Sequence, residues 1–115
     1  MYRVLFYYDE KNYQPVRSFL ESLAPKSQQK AAAWIGLLEE QGPFLRRPYA
    51  DKVAEKLYEL RIRFSADNIR IIYFFYGRDK IVLLHAFRKK TKALPANEIL
   101  IAENRMNHWL KRFKG

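Results

Sequence analysis

Between Leu57 and Arg88, three runs rich in β-branched and aromatic residues follow one another with only short polar turns between them. In residues 57–64, LYELRIRF, Tyr58, Leu60, Ile62 and Phe64 point one way, and Glu59, Arg61 and Arg63 the other. That alternation belongs to a strand with one face on a core and one in water. Ser65-Ala66-Asp67-Asn68 has turn chemistry, and residues 69–76, IRIIYFFY, form the near-continuous run expected of a central strand. Gly77-Arg78-Asp79 turns the chain again into a third strand, KIVLLHAFR, at 80–88. Strands joined so closely pair antiparallel, so this part of the chain is a meander.

The flanking segments read as one more strand and three helices. Residues 2–8, YRVLFYY, have strand composition. A helix opens at Asn12 to Pro15, with Val16, Phe19, Leu20 and Leu23 on one face, and Pro25 stops it. A second begins near Ser27 as N-cap, turns Ala31, Trp34, Ile35 and Leu38 inward, and ends at Gly42-Pro43. Pro95 begins the last helix, with Glu98 in its first turn and Lys111, Arg112 and Lys114 in its last, as the helix dipole favours. At 115 residues the chain has room for one core, so a single domain spans 1–115. The expected fold is α+β with the order β-α-α-β-β-β-α, an antiparallel sheet packed by helices on one face.

Composition narrows the chemistry. Cysteine is absent and only His85 and His108 carry imidazoles, which excludes disulfides, thiol nucleophiles, thiolate zinc sites and a multi-histidine metal centre. No phosphate-cradling glycine loop, nucleophile elbow or metalloprotease motif occurs. No run approaches the roughly 20 apolar residues of a membrane span, and the N-terminus lacks the form of a secretory signal, so a soluble, cytoplasmic domain is expected. Lys plus Arg number 22 against 12 Asp plus Glu, a net charge of +10. From Arg61 to Lys92, nine basic residues face two acids, which concentrates +7 of that charge in the meander. Such a field favours a polyanionic partner, either nucleic acid or an acidic protein.

Within that segment, Arg61 and Arg63 share the polar face of one strand, Arg70 interrupts the next, and Arg88, Lys89, Lys90 and Lys92 crowd the end of the third. Arg70 has two readings: an ion pair with Glu59 or Asp67, or, preferred here, a place beside Arg61 on the exposed sheet face, aimed at phosphate. His85 falls in phase with Ile81, Leu83 and Phe87 and reads as a packed histidine. Phe87 stands at the cluster's edge, where it either stacks on a base or caps the core. Trp34 and Trp109 fit helix core better than nucleobase platforms, and Tyr73 and Tyr76 stay open as phosphate-binding phenols.

The element order, with LYELRIRF at 57–64, NIRIIYFFY at 68–76 and LLHAFRKKTKALPANEI at 83–99, resembles the RelE/ParE superfamily of bacterial toxins from type II toxin–antitoxin modules, in its HigB-like, phage-derived branch. The resemblance implies a small RelE-like domain that binds the ribosomal A site and cuts translated mRNA, without metal or cofactor. It implies as partner an antitoxin with a helix-turn-helix DNA-binding domain. Carried over residue by residue, it places Arg61, Arg70 and Lys89 in catalysis and Arg63, Arg88, Lys90 and Lys92 on RNA, and Phe87, from its place at the cluster's edge, is assigned to RNA with them. The sequence departs from relatives at Glu59, a position often basic there, and in having no tyrosine after the RKKTK run. Lys89 is the expected proton acceptor, its pKa lowered by Arg88, Lys90 and Lys92, with His85 in reserve if exposed. The alternatives are a ParE-like gyrase-inhibiting toxin and a non-catalytic, phage-derived nucleic-acid-binding protein.

Overall fold

The structure, a computed structural model, describes residues 1–113. Lys114, expected in the last turn of the final helix, lies outside the described residues. Strand β1 (Arg3–Phe6) leads into helices α1 (Pro15–Glu21) and α2 (Pro25–Gln41), then a 3₁₀ turn at Gly42–Phe44. Strands β2 (Ala50–Ala54), β3 (Leu57–Phe64), β4 (Asp67–Tyr76) and β5 (Lys80–Arg88) follow, and α3 (Ala96–Arg112) closes the chain. The α+β class and the order β-α-α-β-β-β-α hold, with β2 as an additional short strand between the helices and the meander. Its sequence, ADKVA, carries too little β-forming character to stand out, and it gains its place by pairing with β3 at the sheet edge.

The sheet order is β1-β5-β4-β3-β2, and it departs from an all-antiparallel sheet because β1 joins β5 in parallel. A parallel partner needs a long connection, and the helical hairpin and the meander together supply it. A second correction concerns the helices, which cover both faces. On one side, Val16, Leu23, Ala31 and Leu38 of the hairpin region pack with Leu60, Ile62, Ile71, Tyr73, Ile81 and Leu83. On the other, Ala102, Met106 and Trp109 of α3 meet Ile72, Phe74, Val82 and Leu84. The reason lies in β4, which is apolar at successive positions and so presents hydrophobic side chains to both sides. A strand of that kind needs two covers.

Two prolines and a serine differ from their expected roles. Pro25 does not end α1, which stops at Glu21 with Ser22 as its C-cap; it is the first residue of α2, where its missing N–H costs nothing. Pro95 precedes α3 as its N-cap residue and does not begin it. Ser27 sits inside the first turn of α2 instead of capping it, and its hydroxyl donates to Asp67 Oδ2 at 3.0 Å. That bond ties α2 to the β3–β4 turn.

Gly42, which terminates α2, has φ +53 and ψ −127, a conformation side chains rarely tolerate, and any Cβ there meets the Tyr2 ring. Gly36 lies inside the same helix with nothing within 4 Å of where its Cβ would stand. Gly42→Ala is therefore expected to destabilise the domain by about 1–3 kcal/mol. Gly36→Ala is expected to stabilise it by roughly 0.5–1 kcal/mol. Denaturant midpoints of the two variants are expected to move in opposite directions.

Candidate functional site

Strand periodicity places Glu59, Arg61 and Arg63 on the α3 side of β3, and α3 itself packs chiefly on β4 and β5. The neighbouring end of this face therefore collects the polar side chains. Arg61 is the direct cross-strand partner of Arg70, and Arg63 that of Asn68. Like charges in register repel, so this pairing needs a compensating group. Glu59 provides it. Its Oε1 lies 3.2 Å from Arg70 Nε and its Oε2 3.8 Å from Arg61 Nε.

The Arg70–Glu59 pair is buried, with only 4% and 9% of the two side chains exposed. The ion-pair reading of Arg70 is thus the one realised, through Glu59 and not Asp67, and the preferred picture of a solvent-exposed Arg70 is corrected. Burial follows because β4 is central and covered on both sides. Arg70 nevertheless stands beside Arg61 and lines an open cavity, so access to a ligand comes through that cavity. Its Nη1 donates to Asn68 Oδ1 at 3.3 Å. The contact between Arg70 Nε and Glu59 Oε1 lacks hydrogen-bond alignment, which leaves two buried polar atoms held by charge alone.

Lys89 joins the same group. Its backbone N–H donates to Asn68 O at 2.7 Å, extending the β4–β5 ladder by one step. Burial lowers the Lys89 pKa, the charge of Arg70 lowers it further, Glu59 opposes, and Arg61 adds to the lowering. The expected cause was crowding by Arg88, Lys90 and Lys92. Sequence neighbours in a strand diverge, whereas cross-strand neighbours share a face, so the effective charges are those of β3 and β4.

The other expected members of the site are elsewhere. Arg88 is bound to Asp67 at 3.2 Å and lies over the Phe19 ring of α1, on the opposite side of the sheet. Lys90 and Lys92 are exposed in the loop after β5. Phe87 is buried in the α3-side core and stacked on His85, so it caps the core and offers no platform to a base. Tyr73 is buried under the helical hairpin, which drives its phenol pKa far upward, and Tyr76 donates to Phe113 O at the far end of β4. Neither phenol belongs to the cluster.

His85 reaches the α3 side through a bulge. Ile72 pairs with His85 but Tyr73 pairs with Leu83, so Leu84 is an extra residue that reverses the facing of the residues after it. His85 and Phe87 are therefore out of phase with Ile81 and Leu83. Arg105 Nη1 lies 3.1 Å from His85 Nδ1 and can only donate, which leaves the imidazole proton on Nε2, 2.8 Å from Glu98 Oε1. Burial lowers the His85 pKa below 6.5, the Glu98 hydrogen bond opposes, and the Arg105 charge adds to the lowering. With the folded value depressed, the unfolded chain takes up the proton first as pH falls. The His85 contribution to stability is complete above about pH 6.5 and is lost as pH drops through the folded-state value. Denaturation at about pH 5 and about pH 7.5 is expected to show that loss in the wild type and a smaller one in His85→Gln.

A cavity of about 350 Å³ opens beside the arginines, lined by Arg61, Arg63, Asn68 and Arg70 of β3 and β4 together with Trp34 of α2 and Pro48 and Tyr49 from the segment before β2. Trp34 is half-buried, so it both supports the core and faces this cavity, while Trp109 is buried as expected. Glu59, Asn68, Trp34 and Tyr49 are the members that sequence reasoning did not assign to the site. Glu59 was visible through its phase with Arg61 and Arg63. The aromatics were not, because α2 and the segment before β2 reach the site only through tertiary packing. Among the described residues no His, Asp or Glu cluster capable of holding a metal ion occurs, and no helix is long and apolar enough to cross a membrane.

A protein-family model described as Phage derived protein Gp49-like (DUF891) matches residues 18–107, from α1 into α3. Curated protein sequences yield no match.

Proposed function

The chain belongs to the phage-derived, Gp49-like family, and from that premise we propose that it is a toxin of a toxin–antitoxin module, acting as a ribosome-dependent endoribonuclease on translated mRNA. The observation that carries this reading is the cross-strand pair Arg61 and Arg70 lining an open cavity, with Lys89 one residue past β5 and near enough to feel both charges. Three cations around one carboxylate leave a positive site suited to a phosphodiester.

In this reading the 2′-hydroxyl oxygen of the substrate attacks its own phosphorus, the bond to the 5′ oxygen breaks, and a 2′,3′-cyclic phosphate and a 5′-hydroxyl result. Arg61 and Arg70 stabilise the negative charge that builds on the phosphoryl oxygens. Glu59 is a positioning residue that holds both guanidiniums against their mutual repulsion. Lys89, in its neutral form, accepts the 2′-hydroxyl proton, and water protonates the departing 5′ oxygen. The ribosome supplies what so small a site does not, an mRNA held with the 2′ oxygen in line with the scissile bond. Naked RNA is expected to be cut poorly. The partner that restrains the toxin is an antitoxin that covers or distorts the basic face.

Pulse-labelling after induction separates this reading from gyrase inhibition. Incorporation of amino acids is expected to stop before DNA synthesis does. DNA synthesis failing first would favour the gyrase-inhibiting alternative.

A further inference from the structure

The cationic cavity has one wall whose chemistry phosphate binding does not use. Tyr49, with 36% of its surface exposed, packs against Trp34 with ring centroids 5.4 Å apart and planes tilted by 60°. Lys30 Nζ lies 4.3 Å from the Trp34 ring centre, which fixes the indole from another side. The Tyr49 carbonyl accepts from Arg61 N–H at 2.7 Å, so the aromatic wall is tied by backbone to the strand that carries the arginines. A single cavity is therefore lined by both π-surface and guanidinium.

That combination suits a nucleotide, which joins a flat base to an anion. We infer that Tyr49, backed by Trp34, is a nucleobase-stacking seat, and that the cavity holds one nucleotide of single-stranded RNA with its phosphate toward Arg61, Arg63 and Arg70. This rests on the proposed ribonuclease reading and adds to it a base subsite. A volume of about 350 Å³ suits one such unit and falls within the range of small-ligand pockets. Phe87, the aromatic residue at the edge of the basic run, is buried and already stacked on His85, so it does not compete for this role. Stacking of this kind is tolerant of base identity, which suits an enzyme that meets many codons.

The test compares adenosine 5′-monophosphate with ribose 5-phosphate, binding to the intact protein being followed by tryptophan fluorescence and by calorimetry. Trp109, on the inner face of α3, is buried against the sheet, so quenching reports on Trp34. The nucleotide is expected to bind about tenfold more tightly than the sugar phosphate, the increment for one stacked base. Tyr49→Ala is expected to remove that tenfold difference while leaving ribose 5-phosphate binding unchanged, and Tyr49→Phe to retain it. Equal binding of the two ligands by the wild type, or full nucleotide binding by Tyr49→Ala, would overturn the stacking seat and leave the phosphate site standing. Failure of both ligands to bind the wild type would overturn the phosphate site as well. Those two failures are distinct.

Discussion

Arg70→Ala is expected to lower folding stability by about 3–5 kcal/mol and to abolish RNA cleavage. The stability loss comes from Glu59, not from any contact that Arg70 makes with RNA. With 9% of its side chain exposed, Glu59 would keep a negative charge out of water with its buried counter-ion removed. Arg61 is 3.8 Å away and a third exposed, so it compensates only in part. The double substitution Glu59→Met, Arg70→Met removes both charges at similar volume and is expected to recover most of the stability. Under the proposed mechanism it is expected to recover none of the activity, because the guanidinium assigned to the phosphate is still gone. Denaturant unfolding of the wild type, the single and the double variant checks this cycle. A single variant as stable as the wild type would contradict the buried pair.

Lys89→Met is expected to retain the fold and to lower cleavage by about 10²–10⁴-fold, the usual contribution of a positioned acid–base group. Lys89 lies one residue beyond β5 with its side chain partly in solvent, so its removal leaves no buried charge unpaired. Lys89→Arg distinguishes proton transfer from simple attraction. An arginine keeps the positive charge but does not deprotonate, so it is expected not to restore activity. If Lys89 only attracts the phosphate, arginine restores it. The pH dependence has a definite sign. If cleavage uses the neutral amine, as proposed, the rate is expected to rise with pH until the Lys89 pKa is passed, and burial together with Arg70 and Arg61 places that point below the ordinary lysine value of 10.5.

Local chemistry made the meander readable, and long-range geometry decided what stayed hidden. The period of two in LYELRIRF and the turns at Gly77 and Ser65 depend only on neighbours in sequence, and they locate β3, β4 and β5 within a few residues. The same period puts Arg61 and Arg63 together, and it predicts that Arg70 joins them once β3 and β4 pair. The bulge at Leu84 was not readable, since one extra residue changes no composition yet reverses the facing of His85 and Phe87. Arg88 was misplaced for a related reason. Adjacent residues at a strand end look like one charge cluster in sequence but point to opposite sides of the sheet, and Asp67 holds Arg88 on the far side. Both-face covering by helices was implicit in the two-sided apolar pattern of β4. Pairing of β1 with β5 and the arrival of Trp34 and Tyr49 at the cavity depend on contacts between distant segments, which no local pattern encodes.

Whether the Arg61–Arg70–Lys89 face cuts mRNA on the ribosome is decided by primer extension. An mRNA under translation by purified ribosomes is probed with wild-type protein and with Lys89→Met side by side. New 5′ ends at a fixed phase within codons are expected for the wild type, with at least about a hundredfold fewer for the variant and few on the same RNA without ribosomes. Intact mRNA in the presence of folded wild-type protein and active ribosomes would contradict the ribonuclease reading.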